Sequence, residues 1–412
     1  MRIVIVGAGP AGVTVAETVR QYDPQAEIVM CSGEPFPPYS PPAMLEYFST
    51  GREVHFWKGK DVAERLGVDY RPATTVSAIA PDRKQVHLDD GESLTYDRAV
   101  LAMGARLYAP LAGEDKPGVY NFKSLSAASE LMTRVREGHV RSIIVVGAGF
   151  VGVEIALLLA DLGLEVTQLV RSRVMRGMLD PETSELVLAM MRERRIDVRL
   201  GADADAVAFV GKERAEAVET KAGDTVTADL MIAATGLKPN IDCLEGSDIQ
   251  TDWGVVVDDH LRTNVPDVYA AGDVAATSNR ITGQRSVHAN FPNAVAQGRT
   301  AAYNLMGWDL PYEGADSMNS LKHLGLPVIA AGQMEGEELR VRRGSNLRKL
   351  YLQDDRIVGF RLFGDVSAAG IFRSLMNRHA NVSAFRDLLL DARFGMGYVE
   401  KVAEGTLQRP PG

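Results

Sequence analysis

The sequence predicts an α/β protein: two Rossmann-like dinucleotide-binding domains, each a three-layer ββα unit, plus a small α+β C-terminal domain. Three observations carry this. A glycine fingerprint, Val6-Gly7-Ala8-Gly9-Pro10-Ala11-Gly12, lies between an apolar β-branched run (3–6) and an apolar helical stretch (13–19). A second, Val146-Gly147-Ala148-Gly149-Phe150-Val151-Gly152, lies between the runs 143–146 and 153–162. The stretches after each fingerprint then follow one plan, so the internal repeat is whole.

The fingerprints have a physical reading. In a strand–turn–helix setting the first glycine makes the tight turn and the second lets backbone approach a pyrophosphate. The third lets helix pack on strand, and the helix N-terminus faces the phosphate charge. Gly7, Gly9 and Gly12 would hold one dinucleotide, and Gly147, Gly149 and Gly152 another. Two dinucleotides on one polypeptide imply electrons passing between them.

The first unit closes with a strand at 27–30, followed by a Pro-rich turn over 34–42 that suits neither regular helix nor inner strand. Alternating stretches at 75–79, 85–88 and 93–96 read as a β meander, with Asp89-Asp90-Gly91 as a hairpin turn. A buried strand over 98–102 ends at Met103-Gly104-Ala105. The second unit repeats this with a strand at 165–170, a meander within 206–227 and a buried strand over 230–234 ending at Thr235-Gly236. The chain then returns to the first unit through 254–258 and a strand at 268–273. A helix is expected from Pro292-Asn293 to Met306, with Asn290 as its N-cap. From about Pro311 the pattern changes to strands and a terminal helical segment, and the tail Gln408 to Gly412 reads as frayed. The expected domains are 1–112 with 241–313, then 113–240, then 314–412.

Bulk properties narrow the class. The 412 residues are 46% hydrophobic and 24% charged, ordinary for a globular protein with an ample core. A net charge of −9 argues against a general nucleic-acid or anionic-membrane surface. Met1-Arg2 leads straight into the first strand without signal-peptide features, and Glu154 and Asp161 interrupt the longest apolar run, so a cytoplasmic enzyme is expected. Cys31 and Cys243 are far apart and in no CxxC arrangement, which excludes a disulfide framework or a redox pair of vicinal spacing. His and Cys nowhere cluster at ligand spacing, so no metal is expected.

The segment Val268-Tyr269-Ala270-Ala271-Gly272-Asp273 resembles the second FAD motif of the two-dinucleotide flavoproteins, the pyridine nucleotide-disulfide oxidoreductase superfamily. Ala234-Thr235-Gly236-Leu237-Lys238-Pro239-Asn240 resembles the connection between that superfamily's two folds. With both fingerprints the resemblance covers residues 1 to about 310. The stretch 34–51 and Asn319-Ser320-Leu321-Lys322-His323-Leu324-Gly325 look most like the ferredoxin and rubredoxin reductase branch, beside the flavin subunits of nitrite reductases. In a neighbouring branch, that of coenzyme A-disulfide reductases and NADH oxidases, a redox Cys follows a Pro-Tyr-Ser-like segment. Here the matching stretch is Tyr39-Ser40-Pro41-Pro42-Ala43-Met44, with Pro42 in place of the Cys. Ferredoxin reductases of this kind carry a Lys near the flavin, where this chain has Glu46.

The resemblance implies roles residue by residue. FAD would be held by Gly7, Gly9, Pro10, Ala11, Gly12, Glu34, Tyr39, Val76, Ala102, Gly104, Gly272, Asp273, Asn293 and Ala294. Glu34 is either the acid for the adenosine ribose or a solvated loop carboxylate, and Val76 offers backbone to the adenine or is a buried strand residue. Asp273 would accept a hydrogen bond from the ribityl chain. The helix at Pro292-Asn293 would aim its N-terminus at the negatively charged edge of reduced flavin, unless it is simply an ordinary capped helix. The nicotinamide nucleotide would be held by Gly147, Gly149, Val151, Gly152, Arg171 and Gly236. Glu46 and Glu154 are the candidate catalytic residues; Glu154 either lines the nicotinamide pocket or stabilises its helix N-terminus. Leu169-Val170-Arg171-Ser172-Arg173 has no acid for a ribose 2′-hydroxyl, which favours NADPH over NADH. Arg340, Arg342, Arg343, Arg348 and Lys349 are either a basic patch that steers an acidic iron–sulfur carrier or the exposed faces of strands.

The expected function is an FAD-dependent NAD(P)H dehydrogenase that passes hydride to FAD and then electrons to a protein such as ferredoxin or rubredoxin. The alternatives are a small-molecule reductase or oxidase (oxygen, quinone, disulfide or persulfide) and a flavin-bearing subunit of a larger redox complex. Monomer and homodimer both stay open.

Overall fold

The computed structural model describes residues 1–55, 57–321, 327–397 and 399. Lys322 to Gly325 of the expected C-terminal motif and the tail Gln408 to Gly412 lie outside the described residues. The chain forms two compact units, residues 1–171 with 195–315 and residues 172–194 with those described from Asp316 on.

The first unit holds two five-stranded parallel sheets. One runs Val268–Ala270, Arg98–Leu101, Arg2–Val6, Glu27–Cys31, Asp69–Arg71. The other runs Asp197–Leu200, Glu165–Val170, Ser142–Val146, Leu230–Ala233, Val119–Tyr120. In both, the strand that leads into a fingerprint occupies the centre, where both faces are covered. That is why 3–6 and 143–146 are uninterrupted apolar runs and buried throughout. Each sheet is accompanied by a three-stranded antiparallel meander. The first is Val76–Ala80, Gln85–Leu88 and Ser93–Thr95; the second is Ala206–Val210, Ala217–Thr220 and Thr225–Thr227. Helix, parallel sheet and meander are the expected three layers, twice over.

Boundaries move by one to three residues where a turn intervenes. The strand expected over 268–273 stops at Ala270, because Gly272 takes φ +85° and turns the chain out of the sheet. The expected helix is Phe291–Leu305, and the Asn290 side chain accepts the Asn293 amide at its N-cap.

The second unit is built on an antiparallel sheet in the order Asn319–Leu321, Val328–Gly332, Arg356–Phe363, Asn346–Gln353, Glu337–Arg343. Helix Ala369–Asn377 covers one face, with Phe372 against Phe360. The opposite face carries Lys349, Arg361 and Arg340 as cross-strand neighbours. Over Lys349 lies the N-terminus of helix Pro181–Glu193, where Asp180 Oδ1 stands 2.7 Å from Lys349 Nζ.

This corrects one expectation. Neither Arg348 nor Lys349 is part of an exposed basic patch: they are 5% and 4% exposed. Consecutive strand residues point to opposite faces, and here both faces are covered. Arg348 lies over the Phe372 ring and donates to the carbonyls of Leu389 and Asp391. Lys349 is enclosed by Asp180, Glu182 and Glu338. Arg340, Arg342 and Arg343 are exposed, and Glu182 faces the first two. Among the described residues no helix is long and apolar enough to cross a membrane.

Candidate active site

The two fingerprints have the same geometry. Gly7 takes φ +112°, and a β-carbon there would stand 2.2 Å from the Ala102 carbonyl oxygen. Gly147 takes φ +102°, and its β-carbon would stand 2.4 Å from the Ala234 oxygen. No side chain fits either turn. Gly12 and Gly152 seat their helices directly on these turns, since a β-carbon would come within 2.0 and 2.7 Å of the Gly7 and Gly147 oxygens. Gly9 and Gly149, the helix N-caps, are open: nothing lies within 4 Å of where a β-carbon would be. No side chain caps helix Pro10–Tyr22 or helix Phe150–Asp161. Uncapped first-turn amides above a side-chain-free turn make a cradle for a pyrophosphate, and the residues present fit a dinucleotide at each.

Around the first cradle the expected residues converge. A β-carbon on Gly272 would lie 3.0 Å from Ala11 Cβ and 3.8 Å from Ala294 Cβ, so the turn after strand Val268–Ala270 meets both helices. Gly272 N donates to Gln297 Oε1 at 2.7 Å, which fixes the peptide ahead of Asp273. Asp273 accepts from Lys123 Nζ at 2.8 Å, both side chains being largely buried. Of the first-turn amides of helix Phe291–Leu305, that of Asn293 is taken by the Asn290 cap and Pro292 has none, so an anion there would meet mainly the helix dipole.

Glu34 is not a free loop carboxylate. Its Oε2 accepts from Tyr39 Oη at 2.7 Å, and its Oε1 accepts from Ser126 N and Oγ at 2.9 and 3.0 Å. Leu125 N in turn donates to Tyr39 Oη at 3.0 Å. Glu34 and Tyr39 therefore close the N-terminus of helix Leu125–Arg136. Burial, with Glu34 beside it, holds the Tyr39 phenol well above its usual range. Val76 opens the first meander as a buried strand residue. Gly104 O accepts from Asn240 N at 3.0 Å, where the ribbon Ala105–Tyr108 with Gly236–Pro239 connects the two folds.

The short helix Met44–Thr50 packs against helix Phe150–Asp161. These helices carry Glu46 and Glu154, yet Glu46 turns to Arg52 and forms an ion pair with it. Glu154 is half-buried, and desolvation pushes its carboxyl up to about 8. Pro42 lies in the 3₁₀ turn Pro41–Ala43. Cys31 is enclosed in its strand with its thiol pushed by burial to about 11, and burial raises Cys243 as well. Neither sulfur is an activated nucleophile. Val151 lies in the first turn of its helix, and Arg171 is exposed just after strand Glu165–Val170.

Three contributors escape the sequence reading. Lys123 meets Asp273, Gln297 holds the Gly272 peptide, and Gln168 Nε2 donates to Gly147 O at 2.8 Å to brace the second fingerprint. No local pattern marks them. The polar Gln168 inside an apolar strand was the one visible signal.

Fold and cradles define a flavoprotein with two dinucleotide sites. The chain belongs to the pyridine nucleotide-disulphide oxidoreductase family, whose profile matches residues 1–298. It is 30% identical to putidaredoxin reductase of Pseudomonas putida over 86% of this chain and 87% of that protein. It is 28% identical to the assimilatory nitrate reductase electron transfer subunit of Bacillus subtilis over 88% of this chain, spanning 48% of that relative. A covalent putidaredoxin reductase–putidaredoxin complex has the same fold, with a TM-score of 0.83, 25% identity and 98% of each chain covered. The protein is an FAD-dependent NAD(P)H oxidoreductase.

Proposed function

We propose that this enzyme delivers electrons from NAD(P)H to an iron–sulfur carrier protein such as a ferredoxin or rubredoxin. The observation that carries the reading is the pair of like cradles in one compact unit, without an activated thiol among the described residues. Relatives named for putidaredoxin reduction and nitrate-reductase electron transfer support a protein acceptor. FAD, when bound, supplies the redox chemistry, accepting two electrons from reduced nicotinamide and releasing them singly.

The chain's own residues bind and orient. In this reading Gly7, Gly9 and Gly12 with Pro10 and Ala11 seat the FAD pyrophosphate, Asp273 with Lys123 positions the ribityl chain, and Gly147, Gly149 and Gly152 seat the nicotinamide nucleotide. Glu154, neutral below about pH 8, presents a proton-bearing carboxyl in the nicotinamide pocket rather than a charge. Arg171 reads the 2′-phosphate, which favours NADPH. The functional domains are then 1–112 with 241–313, 113–240 and 314–412, and the setting is cytoplasmic.

The test is an anaerobic titration of the yellow protein with NADPH and, separately, NADH, followed by turnover with an acidic iron–sulfur carrier. Bleaching by NADPH at one equivalent, then reoxidation by the carrier, is expected. A flavin that neither nucleotide bleaches refutes the reading.

A further inference from the structure

The two cradles are repeats of one another, so a residue of one has a counterpart in the other. Gly7 N donates to Cys31 O at 2.8 Å, and Gly147 N donates to Leu169 O at 2.9 Å. One residue before each acceptor the repeats differ. Met30 stands beside Ile5 in the first sheet, and Gln168 stands beside Val145 in the second. Both are core positions, 1% and 0% exposed.

Gln168 is a costly residue in such a place. Its Nε2 donates to Gly147 O at 2.8 Å, but its Oε1 accepts no hydrogen bond among the described residues. The amide cannot turn over to find one, because Oε1 would then face the Gly147 oxygen, acceptor against acceptor. A buried acceptor without a donor has lost its water for nothing, and an apolar side chain of similar size removes that penalty. For folding alone methionine is the better choice, as in the first fold. What Gln168 adds is a directed hold on one peptide. Gly147 has no β-carbon to restrict it, and its peptide to Ala148 is trans. Turning the Gly147 carbonyl to Gln168 therefore sets the Ala148 N–H away from the strand, and that N–H has no partner among the described residues.

We infer that Gln168 is a positioning residue for the nicotinamide nucleotide, holding the second cradle in its binding shape while it is empty. This rests on the reading that the second cradle takes that nucleotide. A cofactor that stays bound keeps its own cradle in shape through its pyrophosphate, so Met30 suffices in the first fold. A nucleotide that leaves at every turnover finds its cradle formed only if the protein keeps it so. Gln168 sits beneath the turn, inside the sheet. Its loss lowers the fraction of empty protein that is ready to bind, and apparent affinity falls by that fraction. The occupied cradle is then the same with or without it.

The test uses the FAD-bound full chain with Gln168→Met, the residue of the first fold, and Gln168→Leu. ADP-ribose and its 2′-phosphate carry the pyrophosphate without the nicotinamide, and calorimetry reads their binding to the oxidised protein. Gly147→Ala should weaken that binding at least roughly 30-fold, which locates the probes at the second cradle. Both Gln168 variants are expected to bind roughly fivefold more weakly, with full flavin content and a thermal midpoint equal to or above wild type. In stopped-flow bleaching the half-saturating NAD(P)H should rise by the same factor at an unchanged limiting rate. Binding equal to wild type in both variants overturns the inference. So does weaker binding that comes with lost flavin or a lower midpoint, which marks plain core packing. A wild type that binds neither probe overturns it together with the assignment of the cradle. A wild type that binds them but is not bleached refutes the proposed function alone, and calorimetry of the variants still decides the role of Gln168.

Discussion

Exchanging one hydrogen for a methyl group in each fingerprint tests which fold holds which nucleotide. In Gly7→Ala the new β-carbon would stand 2.2 Å from the Ala102 carbonyl oxygen, at a backbone φ of +112°. The turn must move by about an ångström, since such contacts are comfortable only beyond roughly 3.2 Å. Left-handed strain contributes about 1–3 kcal/mol and the overlap about as much again. A cost of only 2–3 kcal/mol charged to the bound state weakens binding by roughly 30- to 150-fold. Gly7→Ala should therefore leave a desalting column with its flavin largely lost. Gly147→Ala, whose β-carbon would stand 2.4 Å from the Ala234 oxygen, should stay yellow but need at least roughly 30-fold more NAD(P)H for half-bleaching. Both variants should keep their circular dichroism. A colourless Gly147→Ala beside a yellow Gly7→Ala, or two variants indistinguishable from wild type, would refute the assignment of the cradles.

Four further outcomes follow from the same contacts. Lys349→Met strands the buried Asp180 carboxylate without its cation, and urea unfolding should show a loss of about 3–5 kcal/mol. Glu154→Gln should alter the pH dependence of stability. The native carboxyl holds its proton up to about pH 8 whereas the unfolded one loses it near 4.5, so wild type loses stability as pH rises through that window. Glutamine has no such loss, and unfolding from pH 5 to 9 should show the variant gaining on wild type by at most about 1.4 kcal/mol per unit, less where water reaches the side chain. Lys123→Met should lower flavin retention by roughly tenfold while Lys123→Arg preserves it, read by equilibrium dialysis. Arg171→Ala should raise the NADPH concentration for half-bleaching by about tenfold and leave NADH unchanged.

What was legible in the chain was what local geometry forces. A fingerprint glycine is demanded by a turn that no β-carbon can enter, and a central parallel strand must be apolar on both faces, so residues 1–7 and 143–147 announce themselves. The helix at Asn290 was readable because a cap is a local device. Lys123 was not, because its role exists only through a carboxylate 150 residues away. Arg348 and Lys349 misled for a related reason. Alternation along a strand tells that neighbours face opposite ways, but only the distant segment at Asp180 decides that the second face is covered. Nothing near Glu34 in the chain points to the partner it finds, the start of helix Leu125–Arg136, which lies about ninety residues further on.

The stretch from Asn121 to Ser126 explains how two separately legible folds become one site. Asn121 donates to Leu107 O, Lys123 reaches Asp273, Leu125 N meets Tyr39, and Ser126 meets Glu34. Every one of these bonds runs from the entry to the second fold into the first, and three end on residues expected around FAD. The linker is thus fastened to the first fold at Leu107, Asp273, Tyr39 and Glu34. A carboxylate at a helix N-terminus and a largely buried ion pair both resist small displacements, since each leaves a charge uncompensated when it opens. The entry to the second fold is therefore held to the first by groups that a small displacement would leave unpaired, and it is held beside residues expected at the first cradle.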